Sequence, residues 1–274
     1  MLSISHLTAL DAPPEDFLLF AARAGFDAVG LRSRPPAHTP GRWPVDRPRA
    51  RALKAQAADL GLAILEAESF SLWPDTQVAD LREGLEVAVE LGARFVLSAG
   101  IDADEARLID NYAAFADLAS ELGLTIAMEF MPFRPLRTLD AALRVADRVD
   151  NPSLKLLVDL LHLNRSGGTA ARLAAVPAAR LAYVHLCDAP ARPEGGDAVS
   201  EDALAAEARQ ARSYPGQGGL PLADYLSAIP ASLPLSLEAP AGAYADLPAA
   251  ERVRIAGEVS RAFLAANPQR KGAH

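Results

Sequence analysis

Four apolar runs in this chain finish in side chains that can hold a cation or move a proton. "LTIAME" ends in Glu129, "LKLLVD" in Asp159 and "LPLSLE" in Glu238, while "LAYVH" reaches His185. A second imidazole, His162, follows three residues after Asp159 in "LLVDLLHLNRSGG". Taken singly, each has a plain explanation: an acid at a strand end caps the next helix, and a histidine hydrogen-bonds inside a core. Taken together, three carboxylates brought to one place repel one another unless positive charge lies between them. With one imidazole they form a hard, mostly oxygen donor set for a divalent cation, and Mn²⁺, Mg²⁺, Co²⁺ or Zn²⁺ all suit it. The predicted ligands are Glu129, Asp159, His185 and Glu238.

They converge only if their runs lie side by side. Eight β-branched or aliphatic stretches recur along the chain: "LSISHL", "FDAVGLR", "LAILEAESF", "RFVLSAG", "LTIAMEF", "LKLLVDLLH", "LAYVHLCD" and "LPLSLEAP". Ala/Leu-rich stretches with helical spacing separate them, among them "DFLLFAARAG", "RARALKAQAADLG", "LREGLEVAVELG" and "YAAFADLASELG". Gly25, Gly61, Gly92 and Gly123 end four of these stretches, at the left-handed position where glycine is least costly. Strand–helix alternation with continuously apolar strands predicts a parallel sheet covered by helices. Eight repeats predict a single (β/α)8 TIM barrel over residues 1–267, with 268–274 as a disordered tail. No GxGxxG follows the first strand, which argues against a dinucleotide-binding sheet. In a barrel, neighbouring strands lie about 4.8 Å apart, so polar residues at equivalent heights on strands five to eight meet at one point. A long excursion, residues 188–220, separates the seventh and eighth strands and leaves from the barrel face where active sites lie.

Composition limits the function classes. With 274 residues, half of them hydrophobic, the chain can bury a large core. A formal charge of −8 argues against a nucleic-acid surface. No apolar run is long enough for a membrane span, and "MLSISHLTALDAPPEDF" lacks the pattern of a secretory signal. A single cysteine, Cys187, excludes an intrachain disulfide framework and fits a reducing compartment. The expectation is a soluble cytoplasmic protein acting on a small molecule.

On "AARAGFDAVGLR", "AMEFMPF", "VDLLHLNRSGG", "YVHLCDAP", "YPGQGGLPL" and "LSLEAP" the chain resembles the xylose isomerase-like sugar phosphate isomerase/epimerase barrels. The resemblance spans nearly the whole chain. It implies one divalent metal, commonly Mn²⁺ or Mg²⁺, on Glu129, Asp159, His185 and Glu238. It also implies that His162 faces the substrate or supports the metal, and that the protein is a homo-dimer or tetramer. DNA-repair barrels of the same superfamily carry further histidines on the second and third strands and after the seventh. Here Arg32 and Glu68 stand at those strands, and residues 188–220 contain no histidine. Some ketose epimerases place a second acid six residues after the first glutamate ligand, where this chain has Pro135.

The chemistry implied is proton transfer through a metal-stabilised enediolate on a polyhydroxylated carbonyl compound, with Glu129, Glu238 and His162 as catalytic groups. Isomerisation or epimerisation is the first expectation. Dehydration of an inosose- or dehydroshikimate-like keto-polyol is the alternative, and a metal-containing binding protein without turnover the third. Substrate contacts are expected from Arg32, His6, Glu68, Arg165, Arg192 and Arg212. Gly216, Gly218 and Gly219 form a weak phosphate-cradle candidate, Trp73 a pocket cover, and the Phe residues of "EFMPF" an apolar wall.

Overall fold

The computed structural model describes residues 1–34, 43–192 and 199–268. Eight parallel strands close into one barrel in chain order. They are β1 (Leu2–Ser5), β2 (Ala28–Arg32), β3 (Ala63–Leu72), β4 (Phe95–Gly100), β5 (Thr125–Glu129), β6 (Leu154–Asp159), β7 (Leu181–Leu186) and β8 (Leu235–Leu237). Closure is direct: Leu2, Ser3 and Ile4 of β1 pair with Leu235, Ser236 and Leu237 of β8. The helices between strands are α1 (Pro14–Arg23), α2 (Arg47–Asp59), α3 (Arg82–Leu91), α4 (Glu105–Glu121) and α5 (Leu139–Val149). Two short helices, α6 (Leu160–Arg165) and α7 (Ala170–Ala174), follow β6, and α8 (Glu201–Gln210) and α9 (Leu222–Ser227) follow β7. The long α10 (Ala249–Ala266) ends the ring. The tail predicted at 268–274 lies outside the described residues from 269 onward. Among the described residues, no helix is long and apolar enough to cross a membrane.

Sequence chemistry sets the helix ends. Gly25, Gly61, Gly92 and Gly123 all have positive φ, as their positions before a strand predict. Side-chain oxygens of Asp46, Asp104, Thr138 and Ser200 cap α2, α4, α5 and α8.

Two apolar layers follow from the strand alternation. Residues facing outward pack on the helices in the main core. Residues facing inward form a smaller cluster, Ala28, Leu65, Phe95, Leu97, Ala127, Leu157, Ala182 and Tyr183. That cluster is the floor of the site. Two residues further along their strands, and hence on the same inward face, Ala127 leads to Glu129, Leu157 to Asp159 and Tyr183 to His185. The polar residues therefore form the layer next above the apolar one, toward the C-terminal ends of the strands.

Candidate metal centre

Glu129, Asp159, His185 and Glu238 offer ligand atoms that all lie within 4.8 Å of one another, and all four residues are buried. Asp159 and His185 are register partners across β6 and β7. Glu238 stands one residue beyond β8, its N–H donating to Leu186 O of β7 at 3.0 Å. His185 Nδ1 is central: it lies 3.3 Å from Glu238 Oε2, 3.6 Å from Glu129 Oε1 and 3.9 Å from Asp159 Oδ2. Both His185 Nδ1 and Glu129 Oε1 are buried with no hydrogen-bond partner among the described residues. Buried polar atoms are rarely left this way, and two of them aimed at one point fit a cation.

Asp159 serves two purposes. Its Oδ1 accepts the His162 N–H at 2.9 Å and caps α6, while Oδ2 faces His185 and Arg212. The Asp-x-x-His spacing is thus a cap-to-third-residue spacing, and the helix it starts carries His162 toward the site. The plain reading of Asp159 and the chemical one both hold.

The electrostatics are those of an acidic pocket. Burial works against a charged His185, yet Glu238 and Glu66 hold its pKa well above the ordinary imidazole value. Burial, with the charge of Glu238 adding to it, pushes Glu129 up to about 7 against the pull of His185. Burial also opposes ionisation of Asp159, but Arg212, His162 and His185 together outweigh it and hold the carboxyl low. Arg212 is enclosed at 2% exposure, with Nη1 on Asp159 and Nη2 2.9 Å from Glu238 Oε2.

The remaining expectations divide clearly. A cavity of about 540 Å³ opens over the centre. Glu129, Glu238, His162, Arg32, Arg212 and Trp73 all line it. Arg212 is committed to the ligand carboxylates, and Arg32 to Glu68 at 3.0 Å. Four expected substrate contacts lie outside the cavity lining, a correction to the sequence reading. His6 is fully buried, with Nε2 3.0 Å from Ala12 O and Nδ1 accepting the Arg32 N–H. Glu68 does not end its strand, since β3 continues to Leu72. It lies buried behind Arg32 and accepts from Ser5 Oγ at 2.8 Å. Arg165 and Arg192 turn instead to Glu207 of α8, at 2.7 and 2.6 Å. The glycine loop is likewise no phosphate cradle: the N–H groups of Gly216 and Gly218 both donate to Asp188 Oδ2 at 3.0 Å, and that of Gly219 to Ala189 O. Cys187 is a buried core thiol, pushed up to about 12 by burial.

Glu66 escaped the sequence reading. It is fully buried, its Oε2 lies 3.3 Å from His185 Nε2, and its Oε1 accepts from Ser236 Oγ at 2.9 Å. A carboxylate on the far nitrogen fixes the ring and leaves Nδ1 for a cation.

The model of the xylose isomerase-like TIM barrel family matches residues 18–262. A 3-dehydroshikimate dehydratase of Pseudomonas aeruginosa is 31% identical over 86% of this chain, and the chain spans 37% of that relative's length. A putative hydroxypyruvate isomerase of Streptomyces coelicolor is 27% identical over 76% of this chain and 78% of its own length. Among solved structures, that of an IOLI protein with a binding zinc atom superimposes with TM-score 0.80 at 18% identity, over 97% of this chain and 98% of the other. With its closed eight-stranded barrel and a family match over nearly nine-tenths of its length, this chain belongs to the xylose isomerase-like TIM barrel family.

Proposed function

We propose that this domain is a divalent-metal-dependent lyase that dehydrates a small hydroxy ketone. Glu129, Asp159, His185 and Glu238 hold the ion. A cation there would polarise the ketone and acidify the neighbouring C–H. His162 takes that proton: it lines the cavity, ligates nothing in this arrangement, and burial lowers its pKa to about 4, so it is a neutral acceptor near pH 7. The C–H electron pair becomes the new C=C bond, the C–O bond of the β-hydroxyl breaks, and His162 returns its proton to the departing oxygen, which leaves as water.

The observation that carries dehydration over epimerisation is the inequality of the two glutamates. Inverting a centre needs a proton group on each face of the substrate. Glu238 is held by Arg212, whose Nη2 lies 2.9 Å from its Oε2, while its Oε1 lies 3.3 Å from Ser5 Oγ, whose proton goes to Glu68. Pro135 stands where a further acid would serve the other side. Elimination needs one acceptor. The 31% identical dehydratase supports the same reading, and the putative isomerase keeps isomerisation as the second.

The test is incubation of the Mn²⁺-loaded protein with inososes and cyclic hydroxy-keto acids in D₂O. Enone absorbance grows with the wild type, and His162→Gln lowers its rate by about 10²–10⁴ with metal content unchanged. Exchange of the C–H without an enone would favour the isomerase. No exchange with any substrate would overturn both readings.

A further inference from the structure

Four arginines line the cavity: Arg32, Arg134, Arg209 and Arg212. Two have carboxylate partners, Glu68 for Arg32 and the ligand carboxylates for Arg212. The other two differ. Among the described residues, neither Arg134 nor Arg209 has a hydrogen-bonded or ion-paired carboxylate, although they come from different elements, the β5–α5 connection and the last turn of α8. The acid whose charge acts on Arg134 is Glu201, whose own carboxylate is held by Arg137 at 2.7 Å.

They meet at one ring. The guanidinium carbons of Arg134 and Arg209 each lie 5.7 Å from the centroid of Phe133. Phe133 in turn meets His162 edge-on, with ring centroids 5.4 Å apart. Partial burial and then the charge of Arg209 depress the pKa of Arg134, which is the electrostatic signature of two cations held together. An aromatic face stabilises each cation but does not cancel their mutual repulsion. A bound anion does, and guanidinium groups are suited to carboxylate and phosphate oxygens.

We propose that Arg134 and Arg209, seated on Phe133, form a subsite for an anionic group of the substrate, one aromatic ring away from His162. The substrate is then a hydroxy ketone with a carboxylate or phosphate at the end opposite its reacting carbon. The arrangement orients as well as binds: an anion held beside Phe133 sets the rest of the substrate in the cavity that His162 also lines. This inference rests on the metal-centred reading above, because it needs that centre to define the other end of the substrate.

Calorimetric titration of the Mn²⁺-loaded protein separates the two. Catechol, whose vicinal oxygens can chelate an ion, reports on the metal end alone, and 3,4-dihydroxybenzoate adds a carboxylate. Dihydroxyacetone and its phosphate form the second pair. The carboxylate or the phosphate gains at least tenfold in affinity over its neutral partner, about 1.4 kcal/mol. The pair showing the larger gain identifies the anion. In R134Q/R209Q that gain falls to about one, while catechol binds as it does to the wild type. An equal affinity within both pairs, or a gain that survives the double substitution, would overturn the subsite. A gain lost on substitution in a protein that never forms an enone would leave the subsite standing and sink the lyase. Failure of every probe to bind would refute both.

Discussion

At the scale of single residues, Glu129, Asp159 and His185 could be read from sequence because each obeys the same rule, two positions beyond an inward apolar residue on its own strand. Glu66 does not obey it. Leu65 of the inner cluster and Glu66 beside it both serve the barrel interior, which strict alternation forbids. Partner residues on β7 and β8, across the barrel and distant in sequence, define its role. That role predicts a specific outcome. Glu66→Gln keeps the size of the side chain and a hydrogen bond to His185 Nε2 but removes the negative charge behind the ring. Losing such a partner typically costs 10–100-fold in metal affinity. Equilibrium dialysis with Mn²⁺ should show that loss with an unchanged circular dichroism spectrum, and an unaltered affinity would reduce Glu66 to filling. Arg212 teaches the complementary lesson. Its place in the cavity was expected, but the carboxylates that engage it stand 53 and 26 residues away.

Elements explain how the exceptions arise. The β2–β3 register shifts where Val29 pairs with Ile64 and Gly30 with Glu66, leaving Leu65 as the extra residue. Such a bulge re-aims the following side chain. Gly30 makes the room: a Cβ built there would stand 2.3 Å from Glu66 Oε1. Nothing in "FDAVGLR" alone signals this, since the clash is with another strand. The β7–β8 excursion was visible as a long connection, but Asp188 holding the N–H groups of Gly216, Gly218 and Leu220 was not, because those contacts span 28 to 32 residues. The β1–α1 connection contains a comparable pin in His6, which joins Ala12 O to the Arg32 N–H. Burial is the main cause that lowers its pKa from 6.5 to about 4. The folded state therefore binds this proton less readily than the unfolded chain, so the neutral ring's contribution is complete above pH 6.5 and disappears as pH falls toward 4. The shift corresponds to about 3 kcal/mol. Urea unfolding between pH 4 and 7 should show His6→Gln with a shallower loss of stability than the wild type, by roughly that amount. Parallel curves would mean that His6 does not titrate on unfolding.

The whole molecule concentrates its chemistry in one layer of one barrel. Its overall charge of −8 finds its sharpest expression at the centre of the C-terminal face. There Glu129, Asp159 and Glu238 face the guanidinium of Arg212, with Glu66 a further carboxylate behind His185, so acids outnumber the fixed cation and favour a divalent ion. The rigid ring of strands holds these groups together, so their repulsion is borne by the entire fold and its relief stabilises the entire fold. A cation that binds only the folded chain adds about 2.7 kcal/mol at a hundred times its dissociation constant. For a chain of this size that corresponds to a rise in Tm of roughly 5 °C. Scanning calorimetry with Mn²⁺, Mg²⁺, Co²⁺ and Zn²⁺ in turn should show the rise with at least one of them, reversed by a chelator. Asp159→Asn keeps an acceptor for the α6 cap while removing one ligand charge, so its metal-dependent rise should shrink sharply even if its baseline Tm stays near that of the wild type. A Tm indifferent to all four cations would mean that these side chains balance their charges among themselves, and the barrel would then have no ion to work with.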